Sequence, residues 1–377
     1  MGLENGEKHK EHRKQITPHF SKDAVTESMQ SLAEVANLYL DAWRHEEYRY
    51  GSLKSDIHHW SANSIGIFLC GKSWGEDKSL PEYLQALAKI EEVISIRSFH
   101  PFFVRWLFPE KSREVRIAYD YLYRYFERII ADRKVARDMQ KPPEDMLETL
   151  IDLSLAKGEN SRFWSYADIV EELISLTAGG TDAMSYTMAQ ALYLLSRYPE
   201  IQARAYAEAL NVDPFDESCL NPFDDMEYTH NVIRETIRLY PAVPFSSKFF
   251  RDRSISIHGV SIPSRTNILW MKTAIGLNES FYKKATEFNP SRYDDVEGLK
   301  KESIESMMPF GGGIRHCVGS HLAESLCTRL LASILKEFKL EPISEVNVTY
   351  NALVSVTPSM VPVTLRPRTP VAQQLVT

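Results

Sequence analysis

The stretch Phe310-Gly-Gly-Gly-Ile-Arg-His-Cys-Val-Gly319 constrains this 377-residue chain more than any other part of it. It sets one cysteine, Cys317, in a glycine-rich loop. A basic residue, Arg315, stands two positions before it, and a helical run from Ser320 to Leu331 follows directly. Gly311, Gly312 and Gly313 carry no side chain, so the backbone there can pass close to a flat, bulky group. A helix starting just beyond a cysteine turns its free N–H groups and positive dipole end toward the sulfur, which favours thiolate over thiol. Arg315 is suited to hold a carboxylate on the same group. A lone cysteine beside a loop is usually a buried structural thiol. Here five positions fit F-x-x-G-x-R-x-C-x-G, which average residue usage gives by chance in about one chain of this length in ten thousand.

That loop resembles the haem-binding loop of the cytochromes P450, and the resemblance runs from Gly6 to about Arg368. It implies a single cytochrome P450 domain over residues 1–377 with a helix-rich, mainly α (α+β) body and small β-sheets. It implies a haem-thiolate monooxygenase, with haem b (iron protoporphyrin IX) held by Cys317 as the metal ligand and bordered by Phe310, Gly311, Gly313, Arg315 and Gly319. The expected partners are an apolar small-molecule substrate and an electron donor, a reductase or ferredoxin, docking on the Cys317 face.

Other segments are similar to the same family. Glu235-Thr-Ile-Arg238 shares one helix face, and such a pair alone is usually a solvated one worth under about 1 kcal/mol. With Phe288-Asn-Pro-Ser-Arg292-Tyr293 fifty residues on, the resemblance implies a buried structural cluster of Glu235, Arg238 and Arg292. Near the start, His9 and Arg13 lie i, i+4 on a helix followed by Pro18 and Phe20, and both are expected at a haem propionate; a basic solvated helix is the alternative. Lys248 falls where the family often has an arginine for the second propionate, as a point charge without bidentate geometry.

Ala178-Gly-Gly-Thr-Asp-Ala-Met-Ser185 lies inside the longest helical run. Two mid-helix glycines cost about 1 kcal/mol each relative to alanine, so they mark either a close helix crossing or a notch for a ligand. The segment resembles the family's oxygen-face motif, with Asp182 on the acid and Ala183 in the place of the usual threonine. Asp182 and Ala183 are therefore the candidate catalytic positions. A methyl group cannot orient a proton-carrying water. A substrate hydroxyl, an ordered water, Thr181 or Ser185 is left to do so, or peroxide is the oxidant. This keeps a second reading open, a peroxygenase, isomerase or dehydratase not relying on dioxygen. The substrate-pocket candidates are Ala178, Gly179, Val243, Phe245 and Met360.

The W-x-x-x-R-type helix of the family normally follows roughly a hundred residues, so the chain is expected to lack the N-terminal helices and part of the larger sheet. An inactive truncated fragment is accordingly a third reading. Composition agrees with a globular enzyme: 44% hydrophobic and 25% charged residues, with a net charge of -7. Strongly basic stretches with interleaved aromatics do not occur, which argues against nucleic acid. The four cysteines form no C-x-x-C pair, so free thiols in a reducing compartment are expected. A monomer is expected, cytoplasmic for this chain, with membrane association if an N-terminal anchor precedes it.

Periodicity predicts helices over Ser21 to Trp43, Arg113 to Met139, Tyr166 to Arg197 and Asp225 to Leu239. It predicts a hairpin from Arg253 to Pro263, a strand from Thr266 to Lys272, and a small sheet pairing Asn347–Tyr350 with Val361–Arg366.

Overall fold

Helix α1 (Gly6–Ile16) passes through a 3-10 turn (Thr17–Phe20) into α2 (Lys22–Glu27) and α3 (Met29–His45). Then come α4 (Ser52–Cys70), α5 (Leu80–Phe99), α6 (Pro109–Ala136), α7 (Met146–Leu155), α8 (Tyr166–Arg197), α9 (Pro199–Ala209), α10 (Pro222–Asp225) and α11 (Glu227–Leu239). Four strands follow, β1 (Phe245–Phe250), β2 (Ile255–Ile257), β3 (Val260–Ile262) and β4 (Thr266–Met271). After α12 (Lys272–Gly276) and α13 (Ser320–Glu337), the chain ends in β5 (Phe338–Pro342), β6 (Tyr350–Ala352), β7 (Val356–Pro358) and β8 (Val363–Pro367). This is a computed structural model, describing residues 5–45, 52–71, 80–99, 109–156, 163–216, 219–250, 253–294, 307–344, 346–352 and 356–368.

Helix α8 is the axis of the molecule and runs for 32 residues. Ser165 and Asp168 start it with a reciprocal capping box. Pro199 ends it and opens α9 at its first turn, where a missing N–H does no harm. Around α8 pack α4, α6, α11 and α13. Leu173, Met188, Leu192 and Leu195 of α8 join Trp60 of α4 and Leu330, Leu331 and Leu335 of α13 in one continuous core. Burying a Leu, Met or Val side chain stabilises by roughly 1.5–3 kcal/mol, so this crossing holds α8 firmly over the 310–319 loop.

The run predicted as one helix from Ser21 to Trp43 is two, broken at Ser28. There the Ser28 hydroxyl donates to the Ala24 carbonyl (2.9 Å), a local bond that competes with helix continuation. The 113–139 helix starts earlier, at Pro109, and stops at Ala136. The hairpin forms over β2 and β3, with His258 and Gly259 at positive φ (47° and 81°) in its two-residue turn. The expected pairing of 347–350 with 361–366 does not occur. β6 pairs with β7 in a local hairpin, and β8 pairs with β5 across the end of α13. Among the described residues every sheet has two antiparallel strands.

Candidate functional site

The 310–319 loop owes its shape to positive backbone angles. Gly311 and Gly313 lie at φ 75° and 61°, a region glycine enters without steric cost. The Cys317 amide donates to the Phe310 carbonyl (2.9 Å), and the His316 amide to Gly313 (3.1 Å). Gly319 caps α13, whose first amides therefore face back toward Cys317.

Cys317 opens onto a cavity of about 340 Å³. The loop lines one side through Phe310, Gly311, Arg315 and Gly319, and α8 lines the other through Gly179, Gly180, Ala183 and Thr187. Because the cavity is sunk into the protein, loss of hydration still acts on the thiol and pushes its pKa up; the Gly319 amide and the charges of Arg13 and Lys272 pull it down. The cysteines are all unpaired thiols, and Cys317 alone is accessible.

The guanidinium groups of Arg13 and Arg315 and the imidazole of His9 converge beside the loop. His9 is buried in α1, and its pKa is lowered by burial first and then by Arg315 and Arg13. Arg315 is likewise depressed by loss of hydration and by Arg13, while its Nη2 reaches Asn5 Oδ1 (2.9 Å). Like charges placed this closely repel, and an anion among them relieves the repulsion. Lys248 is not part of this group: it is exposed on β1 with its ammonium 5.5 Å from the Phe250 ring centre. Lys272, which the sequence reading passed over, is buried and lines the cavity.

On the α8 side, a Cβ at Gly179 would meet nothing within 4 Å, so the helix offers bare backbone there. A Cβ at Gly180 would come within 2.7 Å of Ile65 Cδ1, so this glycine serves the crossing with α4. Notch and crossing are thus both present, one glycine each. Asp182 does not line the cavity. Its Oδ1 meets His58 Nε2 (2.8 Å) on α4, and Lys54 one turn away also feels its charge. Thr181 is fully buried and Ser185 donates to the Asp182 carbonyl (3.1 Å); neither lines the cavity. Thr187 does line it, with its hydroxyl on the Ala183 carbonyl (2.8 Å). Val243 lines the cavity, whereas Ala178, Phe245 and Met360 do not.

Beneath the site, Glu235 takes two bonds from Arg238 (2.8 Å each) and one from Arg292 Nε (2.8 Å). Arg238 also donates to the carbonyls of Gly276 (2.5 Å) and Ala285 (2.7 Å). Glu235 and Arg238 are buried, so every lone pair and N–H here needs a partner, and the segment around Arg292 supplies them.

A thiol at the end of a helix, a cationic cluster, bare helix backbone opposite and apolar walls together suit a flat apolar group carrying carboxylates. The residues present therefore fit a haem. The family model for cytochrome P450 matches residues 1–360. The chain belongs to the cytochrome P450 family. Similar relatives include cytochrome P450 4d1 of Drosophila simulans, 24% identical over 362 residues, covering 90% of this chain and 70% of that protein. Cytochrome P450 4Z1 of Homo sapiens is 27% identical over 355 residues, covering 90% of this chain and 69% of that protein. Cytochrome P450 4c21 of Blattella germanica is 26% identical over 372 residues, covering 90% and 71%. As a cytochrome P450 the chain is a haem-dependent monooxygenase, an oxidoreductase. None of the described helices is long and apolar enough to cross a membrane.

Proposed function

We propose that this chain binds haem b through Cys317 and oxidises an apolar small molecule with dioxygen, drawing electrons from a docked donor protein. The observation that carries this reading is the accessible Cys317 thiol facing the bare Gly179 backbone of α8 across an apolar cavity. The haem supplies the oxygen chemistry, which the thiolate promotes by donating electron density. The chain supplies placement and electrostatics. Gly311 and Gly313 would let the loop backbone pass close to the group, and the N-terminal amides of α13 would stabilise the sulfur's charge. His9, Arg13 and Arg315 take the carboxylates. Gly179, Ala183 and Val243 leave room for an apolar substrate and offer it no hydrogen bond from a side chain. Asp182, held by His58 at 2.8 Å, is the proton-handling acid behind the cavity wall, and His58 is its link to solvent.

Ala183 supports a second reading, in which peroxide is the oxidant. Neither Thr181 nor Ser185 lines the cavity to replace the missing hydroxyl.

The deciding measurement is the reduced, carbon-monoxide-bound spectrum of the haem-loaded protein. A red-shifted Soret band typical of thiolate ligation is expected, and Cys317→Ala should abolish it. A protein without haem, or with the band unchanged in Cys317→Ala, overturns the reading. Turnover with NAD(P)H and a redox partner then separates the two oxidants, because activity with peroxide alone favours the second.

A further inference from the structure

Lys272 is the first residue of α12 and is 3% exposed. An ammonium has three donors and no acceptor. Among the described residues its Nζ has one hydrogen-bond partner, the Pro309 carbonyl at 2.8 Å. Burying a charge is costly unless an opposite charge accompanies it. Among the described residues no Asp or Glu forms an ion pair with it. What Lys272 does share is the Cys317 cavity. Its bond to Pro309 anchors the residue next to Phe310, whose carbonyl takes the Cys317 amide (2.9 Å). Burial pushes the Lys272 pKa down, and Cys317 is the ionisable group that raises it. The same charge in turn lowers the Cys317 pKa.

We propose that Lys272 is a buried positive charge set against the Cys317 sulfur, and that it raises the reduction potential of the haem this chain binds. The proposal rests on the haem-thiolate reading above. A fixed cation close to a site that gains an electron stabilises the reduced form, and the low effective dielectric of the interior strengthens the effect. Lys272 is thus a positioning and electrostatic residue, not one that touches substrate. It also ties α12 to the first residues of the loop, so charge and loop shape are set by one side chain.

The test is a potentiometric titration of the ferric/ferrous couple in haem-loaded protein, with Lys272→Met removing the charge at similar length and Lys272→Arg keeping it. In the Met variant the equilibrium should move at least about tenfold toward ferric, ~59 mV for a one-electron couple, with the thiolate Soret band retained. The Arg variant should stay within about threefold of wild type, less than half that shift. If Lys272→Met does not retain haem, Lys272→Gln takes its place with the same expectation. A wild-type potential in the uncharged variant overturns the proposal, and so does loosened haem with unchanged potential, which would assign Lys272 to a haem carboxylate. A wild-type protein lacking the thiolate band would instead sink the underlying reading. The spectrum and the potential therefore fail separately.

Discussion

The proposed function turns on Ala183, where a methyl group stands in place of a hydroxyl. The residue faces the cavity on the same stripe of α8 as Gly179, Gly180 and Thr187. The hydroxyl at 187 is one turn further along and is already spent on the Ala183 carbonyl (2.8 Å). Putting a hydroxyl at position 183 needs little room, because the residue lines the cavity. Ala183→Thr should therefore raise the product formed per NAD(P)H oxidised by about tenfold, less than the roughly 10²-fold that is the low end of what a placed proton donor contributes. Peroxide-driven turnover, which needs no such delivery, should not rise. Measuring product against cofactor consumption checks this, and unchanged coupling would mean that another group already orients the water.

Elements are joined here by buried polar groups, Glu235 with its two arginines among them, and by close glycine crossings. Glu235 binds two arginines from different segments, so Glu235→Gln leaves positive charge buried without its partner. Such a loss costs about 3–5 kcal/mol, read from the urea unfolding midpoint. By contrast, Arg44 and Glu337 also pair α3 with α13, at 2.5 Å, but both side chains are partly exposed (44% and 27%). Arg44→Ala should cost no more than about 1 kcal/mol. Gly276→Ala belongs with the first group, since its Cβ would sit 2.5 Å from the Arg238 carbonyl, a backbone atom with nowhere to go. The sequence told these elements apart unevenly. Helix α8 was readable from Tyr166 to Arg197 because its apolar spacing is sustained and Pro199 stops it. The break at Ser28 was not, because apolar spacing continues across it and one hydroxyl makes the difference. Strand partners near the C-terminus were misassigned, since alternation predicts strands but not which ones meet. The haem loop was legible as a motif, whereas the turn of Asp182 toward His58 depends on how α4 crosses α8. Lys272 left a signal that went unread: inward positions of β4 fall at 266, 268 and 270, and the same period points 272 inward.

Across the whole molecule, histidines whose rings lose hydration on folding tie stability to pH. His9, His19, His59 and His321 all have lowered pKa values, with loss of hydration the largest cause in each. They come from α1, the turn after it, α4 and α13, so the effect is not local to one site. The unfolded chain takes up protons near the ordinary histidine value of about 6.5, while the folded rings resist until a lower pH. Below about 6.5 the unfolded state thus binds more protons, and stability falls as pH falls. Above that value both states are neutral at these positions and the dependence vanishes. Asp168 and Glu341, whose pKa values are lowered on balance by their partners, act in the same direction at more acid pH. His12 acts in the same direction: burial lowers its pKa, although its Nδ1 meets Glu172 (2.7 Å) and its Nε2 meets the Phe163 carbonyl (2.8 Å), a contact that works against the shift. Urea unfolding of the full chain should give a lower midpoint at pH 5.5 than at pH 7.5, and little change between 7.5 and 8.5. A midpoint that holds or rises at pH 5.5 would mean that these rings gain charge on folding, against the burial that surrounds them.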